Sequence, residues 1–434
     1  MNKRTTIPVI NYTTPYGKKY FVKILSLRQK RDETVALRVA EIIDAVRKKG
    51  DAALFDYTKK FDGVTLTAKT VRVGQAEIDR AAKLVPLPLQ KAIIEAARRI
   101  MAYHAHQKGV SFSIKTVEGV LQQIVRPLNR IAVYIPGGYT VYPSSVLMNV
   151  IPAQIAGVPE IVALTPPRSG LDPAIAYALK LCKVTEVFRI GGAQAIAAAA
   201  YGTKTIRPVD KIVGPGNAYI ATAKRLVYGT VDIDAVAGPS EVAIMADTSV
   251  DPSWVALDLL AQAEHGSGDE VALCLTESRG VAEKIARAVE EEIKKSPVRA
   301  TLERLPAHAI TVFFTSSRAE SISIVNKLAP EHLEIMTSSA AADLKHVKNA
   351  AAVFLGLYTP VALGDYFIGT NHVLPTGGAA RFSSPLGVES FLKRMSVATV
   401  SEKGLKKAAP HVSVFARAEK FVHHAMSVER RVGI

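Results

Sequence analysis

The chain has 434 residues, 48% hydrophobic and 22% charged, a globular balance that excludes disordered and fibrous classes and leaves room for two or more domains with buried cores. Lys and Arg outnumber Asp and Glu by 55 to 39, a formal charge of +16, but aromatics are only 6% and no interleaved basic and aromatic platform occurs, so the excess reads as solubility and attraction for anions, with no nucleic-acid partner. Two cysteines, Cys182 and Cys274, exclude a disulfide framework and a four-cysteine zinc module, and no apolar run reaches the roughly 18 residues that span a bilayer, so a reduced, cytoplasmic protein without membrane contact is expected.

Up to about residue 125 the pattern is mainly helical. Apolar residues recur at spacings of three and four over 35–61 (Val39, Ile42, Ile43, Val46, then Ala53, Leu54, Tyr57) and again over 89–105. The basic runs Lys18-Lys19, Arg28 to Arg31, Arg47 to Lys49 and Lys406-Lys407 are short, sit beside such patterns, and read as solvated faces. From residue 126 to 235 the texture changes to short β-rich runs, each ending in Gly or Pro and followed by a helical stretch. The predicted strands are 130–135, 160–164, 186–190 and 211–213. A second series over 236–385 predicts strands at 241–245, 270–276, 310–315 and 351–354, with helices such as 252–265 and 280–295 between them. The fold class is therefore α/β, with two successive doubly wound, largely parallel sheets of incomplete Rossmann-like type. Residues 386–434 return to helices and end in a basic helical arm at 413–428.

Ligands of open α/β sheets bind beyond the carboxyl ends of strands, and in the first series those ends carry the glycines. Asn217 follows Gly214-Pro215-Gly216 and can cap the next helix, leaving its free amides facing a phosphate or amide group; a plain tight turn fits the same residues, and no G-x-G-x-x-G fingerprint is present. Gln262 and His265 are three apart and share a helix face that offers an oxygen and a nitrogen to one metal ion, or else is a surface helix end. Glu331-His332 follows Pro330, which ends the preceding helix. The pair is either two bases of different strength or a polar surface turn. The stretch 363–387 is long, irregular and rich in Gly, Ser and Pro, and holds Asp365, His372 and Arg381; its apolar residues argue against disorder. In the terminal helix, Glu419 and His424 flank an apolar stripe of Phe415, Ala418, Val422 and Ala425.

Taken together, these segments resemble the histidinol dehydrogenase family over nearly the whole chain. The resemblance rests on YIPGG from Tyr134, IGGAQA from Ile190, VGPGNAY from Val213, AGPSE from Ala237, AQAEHG from Ala261, APEHLE from Ala329 and GDYFIGTNHVLPTGGAARFSSPLGV from Gly364, with Ala418-Glu419 followed five residues later by His424. Each segment alone is a weak pattern; eight in order are specific. The resemblance implies an NAD-dependent zinc enzyme that oxidises histidinol to histidine through an aldehyde, at the last step of histidine biosynthesis. Position by position, Gln262, His265, Asp365 and His424 would ligate Zn2+, a nitrogen and oxygen set without sulfur that suits this metal. His424 would come from the partner of a homodimer, so that the C-terminal arm completes a shared site. Glu331 and His332 would be the bases. Ser240 and Glu419 would contact substrate together with the ligands and His332, and Tyr134, Gln194 and Asn217 would touch NAD.

Lys420 and His423 depart from the family pattern, as does a looser turn at 266–269. Adjacent helical side chains lie about 100° apart, so only one of His423 and His424 faces the metal, and the family spacing selects His424. Both cysteines read as structural, Cys182 in a helix and Cys274 in an apolar strand. Three other readings fit parts of the sequence: a relative acting on another alcohol such as a sulfonated diol, a basic nucleic-acid-binding protein, and an inactive homologue. Glu419 argues against the first, since a carboxylate suits an ammonium better than a sulfonate.

Overall fold

The computed structural model describes residues 6–28, 33–107, 109–137, 141–167, 170–236, 238–266 and 268–434. Gly138, Ala237 and the part of the basic run beyond Arg28 lie outside the described residues. In chain order the first strands are β1 (Val9–Asn11), β2 (Arg72–Val73), β3 (Phe112–Lys115), β4 (Gly119–Pro127), β5 (Arg130–Tyr134), β6 (Glu160–Leu164), β7 (Glu186–Phe188), β8 (Lys211–Val213) and β9 (Asp232–Ile233). They are followed by β10 (Glu241–Ala246), β11 (Val271–Thr276), β12 (Ile310–Phe314), β13 (His332–Met336), β14 (Ala352–Leu355) and β15 (Leu392–Val400).

Three sheets result. The first has six strands in the order β2-β7-β6-β5-β8-β9, parallel except where β2 pairs with β7. The second has six parallel strands in the order β1-β12-β11-β10-β13-β14, and the third is antiparallel, β15-β4-β3. Strands buried on both faces need apolar residues throughout, and β5, β10 and β11 are buried at every position. Helices cover both faces of each large sheet. In the second, Val242 and Ile244 pack under Val255, Leu259 and Ala263 of the helix Pro252–Ala263. On the other face Ala243 and Met245 meet Phe21, Ile24 and Val325.

The two doubly wound sheets expected from the sequence are present, with helices at both ends of the chain. Four details differ. The strand β13 falls where the sequence suggested only a turn after Pro330: Ala329 ends the helix Arg318–Leu328 in the left-handed region, and the chain then enters the sheet between β10 and β14. The first 125 residues supply strands to all three sheets. The C-terminal region opens with β15 before its helices begin. The terminal arm is two helices, Glu402–Ala418 and Val422–Val432, with a break between Glu419 and His424. Lys420 adopts φ 65°, and the bonds Phe421 N to Ala416 O (2.8 Å) and Lys420 N to Arg417 O (3.0 Å) form a Schellman stop. A Lys at the position usually held by Gly hides that stop from a sequence reading.

Strand order reverses between β10 and β13, so a ligand crevice would be expected at their carboxyl ends. That end is filled from within. Arg318 donates to Glu277 (2.7 Å) and Asp343 (2.5 Å) and lies 3.5 Å from Asp247, while Asp247 accepts from the Ser338 and Ser249 amides.

In the first sheet the carboxyl edge is shaped by close approach. Gly214 has φ +112°, and a Cβ there would lie 2.1 Å from the Tyr134 carbonyl oxygen. Its amide donates to Asp234 and its carbonyl accepts from the buried Lys224 ammonium (2.9 Å). Gly214→Ala should therefore lower stability by at least about 2 kcal/mol, through backbone strain and displacement of β5 from β8. Gly229→Ala, at φ +101° with open space around it, should lose only the strain of about 1 kcal/mol. Urea unfolding of the two variants beside the parent checks the difference.

Candidate active site

The site is built at the amino ends of β10 and β13, the edge opposite the Arg318 cluster. The two strands are paired with Val242 opposite His332, which places Glu331 and His332 beside Ser240 and Glu241. Both predicted bases are buried, Glu331 at 7% and His332 at 6% exposure, which rules out a surface turn. The backbone of Glu241 holds both. Its amide donates to Glu331 Oε2 (2.9 Å), and its carbonyl lies 3.0 Å from His332 Nδ1. A carbonyl can only accept, so Nδ1 carries the proton and Nε2 presents a lone pair. That Nε2 is buried and has no partner among the described residues.

Burial pushes the His332 imidazolium down to about 4, with the nearby His372 and His265 acting in the same direction. The ring is neutral at physiological pH. Burial raises Glu331 well above the usual carboxylate range, and the adjacent Glu241 and Asp365 charges add to this, so it holds its proton more tightly than a surface carboxyl.

Glu241 is itself fixed from behind. The Arg28 guanidinium pairs with both of its carboxylate oxygens, Nε to Oε1 at 2.5 Å, and Gly377 N donates to Oε1 at 3.0 Å. Arg28 also donates to the Leu328 carbonyl (2.8 Å). This corrects the reading of Arg28 as part of a solvated basic face: it is 7% exposed and is the partner of a carboxylate 213 residues away. Nothing local in the sequence announces that pairing, and Arg28 and Glu241 are the site residues that sequence reasoning missed.

The expected metal donors converge in part. Gln262 is buried at the end of the helix Pro252–Ala263, and its amide Nε2 has no partner among the described residues. His265 lies in the exposed turn just after that helix, near enough to bias His332. Asp365 lies in the short helix Val361–Tyr366, within the stretch predicted to be irregular, and biases Glu331. Burial alone raises Asp365 to about 6, and no hydrogen bond or cation meets its carboxylate among the described residues. An uncompensated carboxylate at Asp365 and the imidazole of His265 fit a cation with nitrogen and oxygen preference; Gln262 can add only its amide oxygen, since the amide nitrogen left without a partner is a donor. Within one chain, no group of three His, Cys, Asp or Glu that could hold a metal occurs among the described residues. His424 is exposed, packs its ring on Phe421 at 5.1 Å, and is not brought to the other three donors by any described contact of its own chain. Glu419 is likewise exposed, at the end of the first terminal helix. The apolar side chains Val414, Phe415, Phe421 and Val422 beside them are all at least half exposed.

The residues read as NAD contacts lie at the carboxyl edge of the first sheet. Asn217 caps the helix Ala218–Val227, its side chain accepting from the Tyr219 and Ile220 amides. Tyr134 is buried at the end of β5, with its hydroxyl on the Gly192 amide. Gln194 is 1% exposed, and neither its amide oxygen nor its nitrogen has a partner among the described residues. Burial raises the Tyr366 phenol, and Asp365 and then Tyr142, which precedes the helix after β5, add to this, so the start of that helix lies near the segment carrying Asp365. Cys182, just past the helix Pro173–Leu181, and Cys274 in β11 are free, buried thiols away from these edges.

Comparison with known proteins gives the family. The histidinol dehydrogenase family model matches residues 25–432. A histidinol dehydrogenase of Bacillus thuringiensis is 45% identical over 427 residues, covering 96% of this chain and 97% of the relative, and one of Rhizobium meliloti is 43% identical over 427 residues, covering 98% of each. The crystal structure of histidinol dehydrogenase from Elizabethkingia anophelis superposes with a TM-score of 0.91 at 35% identity, covering 100% of this chain and 99% of that one. Fold and relatives together define the class as an oxidoreductase of mixed α/β architecture. The chain belongs to the histidinol dehydrogenase family. No helix among the described residues is long and apolar enough to cross a membrane.

The His332 geometry has a pH signature. Below its ordinary 6.5 an unfolded His332 takes up a proton that the folded ring refuses until about 4, so stability is lost as pH falls through that window. The loss reaches about 3 kcal/mol at the lower end. In the metal-free protein, His332→Gln should flatten the decline in urea stability between pH 6.5 and 4.5 relative to the parent.

Proposed function

We propose that this chain oxidises L-histidinol to L-histidine, in histidine biosynthesis, by two successive hydride transfers through the aldehyde, as a zinc-requiring homodimer. The observation that carries the reading is His332: a buried, neutral imidazole whose tautomer is set by the Glu241 carbonyl and whose free nitrogen is left open. Such a group accepts a proton at Nε2 while Nδ1–H stays on a fixed acceptor, so no rearrangement is needed at the moment of transfer. In the first oxidation His332 takes the hydroxyl proton as hydride leaves the adjacent carbon. The aldehyde then needs an oxygen nucleophile. Glu331, made a stronger base by burial, acts in its ionised form: it takes a proton from water as the water oxygen adds to the aldehyde carbon to give the hydrate. His332, having passed its first proton to solvent, takes a hydrate hydroxyl proton as the second hydride leaves for NAD.

Gln262, His265, Asp365 and His424 of the partner subunit would hold the zinc. When bound, it supplies a Lewis acid that fixes the imidazole and amine of histidinol and polarises the reacting oxygen. Ser240, next to Glu241 at the start of β10, and Glu419, on the exposed arm, would complete the substrate pocket, with the Glu419 carboxylate suited to an ammonium group. NAD would take the hydride, seated at the carboxyl edge of the first sheet by Tyr134, Gln194 and Asn217; the unpaired amide of Gln194 supports this placement. The open apolar patch around Phe415 and Phe421 supports an arm that docks on a second copy. Neither cysteine takes part, so no thioester is formed.

Metal analysis followed by histidinol-dependent reduction of NAD tests the reading. Activity should vanish on chelation and return with zinc, and a chain without bound zinc or indifferent to histidinol would overturn it. His332→Asn should lower kcat by about 100-fold or more with a small change in KM. Mixing inactive His424→Ala and Glu331→Gln chains should restore about a quarter of the parent activity after random reassortment, because one site in each mixed dimer is then intact.

A further inference from the structure

One rung behind the bases lies a pair of carboxyl groups that the mechanism does not use. Glu334 is 1% exposed and sits two residues after His332 on β13, on the same face of the sheet, because Leu333 and Ile335 point into the opposite core. Its Oε1 accepts from the Val361 amide at 2.7 Å. Its Oε2 is buried and meets no donor among the described residues. Its side-chain hydrogen-bond partner is the half-buried Asp258 carboxyl of the helix Pro252–Ala263. Two ionised carboxylates cannot bond to each other; one proton between them satisfies both.

The spacing ties this pair to the site. Asp258 is one helical turn before Gln262, and Val361 is one turn before Asp365, each a rise of about 6 Å along its helix. Glu334 is two strand residues past His332, a step of about 6.6 Å. All three side chains therefore lie one equal step from a single anchor. Glu334 caps the helix carrying Asp365, and through Asp258 it fastens the helix carrying Gln262 to the strand carrying His332.

We propose that Asp258 and Glu334 share one proton and act as the positioning pair of the metal site, holding Gln262 and Asp365 in register with His332. The proposal rests on the metal-ligand reading above for its effect on zinc, but the clamp itself exists without metal. Burial of Glu334, deeper than that of Asp258, keeps the proton on Glu334, whose Oε2–H donates to Asp258.

Glu334→Gln is the informative variant. Its amide can accept from Val361 N and donate to Asp258 permanently, so zinc affinity, read by competition with a chromophoric chelator, should stay within about threefold of the parent. Glu334→Leu and Asp258→Leu should each weaken zinc by about 10- to 100-fold. In the metal-free chain, amide exchange over 361–366 should be at least about tenfold faster in Glu334→Leu than in Glu334→Gln, since only the latter keeps the acceptor for the Val361 amide. Unchanged exchange in Glu334→Leu overturns the clamp, whatever the metal result. Altered exchange with unchanged zinc affinity overturns its role toward the metal. If the leucine variants do not fold, the glutamine variant decides: zinc binding weakened tenfold or more in a folded Glu334→Gln chain overturns the shared proton. A parent that binds no zinc while its exchange pattern follows the predicted order would fail the metal reading and leave the clamp standing.

Discussion

The backbone of one residue, Glu241, holds both Glu331 and His332, and a fully buried ion pair with Arg28 fixes that residue. Taking two charges out of water costs several kcal/mol per ion, and the pair is tolerable only because its remaining valences are filled by the Leu328 carbonyl and the Gly377 amide. Three remote segments thus meet at one ion pair: the N-terminal helix, the end of the helix Arg318–Leu328, whose carbonyl accepts from Arg28, and the loop after Asp365, whose Gly377 amide donates to Glu241. Glu331 and His332 inherit their geometry from this junction. A neutral acceptor at His332 would be useless if its ring could turn, and the Glu241 carbonyl is what stops it.

The placement of the site departs from the usual rule for open α/β sheets. In the first sheet the carboxyl edge is open and lined by close-packed glycines, as the rule expects. In the second, the corresponding crevice is stoppered by Arg318 among Glu277, Asp343 and Asp247, and the candidate site lies at the amino edge. Helices in such a sheet run antiparallel to the strands, so the ends of Pro252–Ala263 and Val361–Tyr366 deliver Gln262 and Asp365 to that same edge. The loop after Asp365 is tied to the first sheet's own layer of helices, where Asn371 donates to the Met148 carbonyl at 2.7 Å.

Much of this was legible in the sequence. Strands such as 160–164 and 211–213 fall where apolar runs between glycine turns put them, because burial on both faces leaves no other pattern. The Asn217 cap is local chemistry and was read locally. β13 was not, since Glu331 just before it and His332 and Glu334 within it are polar residues in a buried segment, kept there by partners that only the folded chain supplies. Arg28 was misread for the same reason. The break at Lys420 escaped because a non-glycine residue bears the left-handed turn. Sequence patterns report what short-range physics favours; these residues sit where long-range bonds outweigh it.

The sealed thiols have a consequence of their own. Burial pushes Cys182 up to about 12 and raises Cys274 further still, so neither forms a thiolate near neutral pH, and both lie below the surface. Alkylating agents and peroxide, which attack the anionic sulfur, find no such target on the folded chain. The sulfur open to oxidants in the folded chain is instead that of thioethers such as Met101 and Met395, 53% and 42% exposed, so oxidation would begin at methionine while both cysteines stay silent until the chain unfolds.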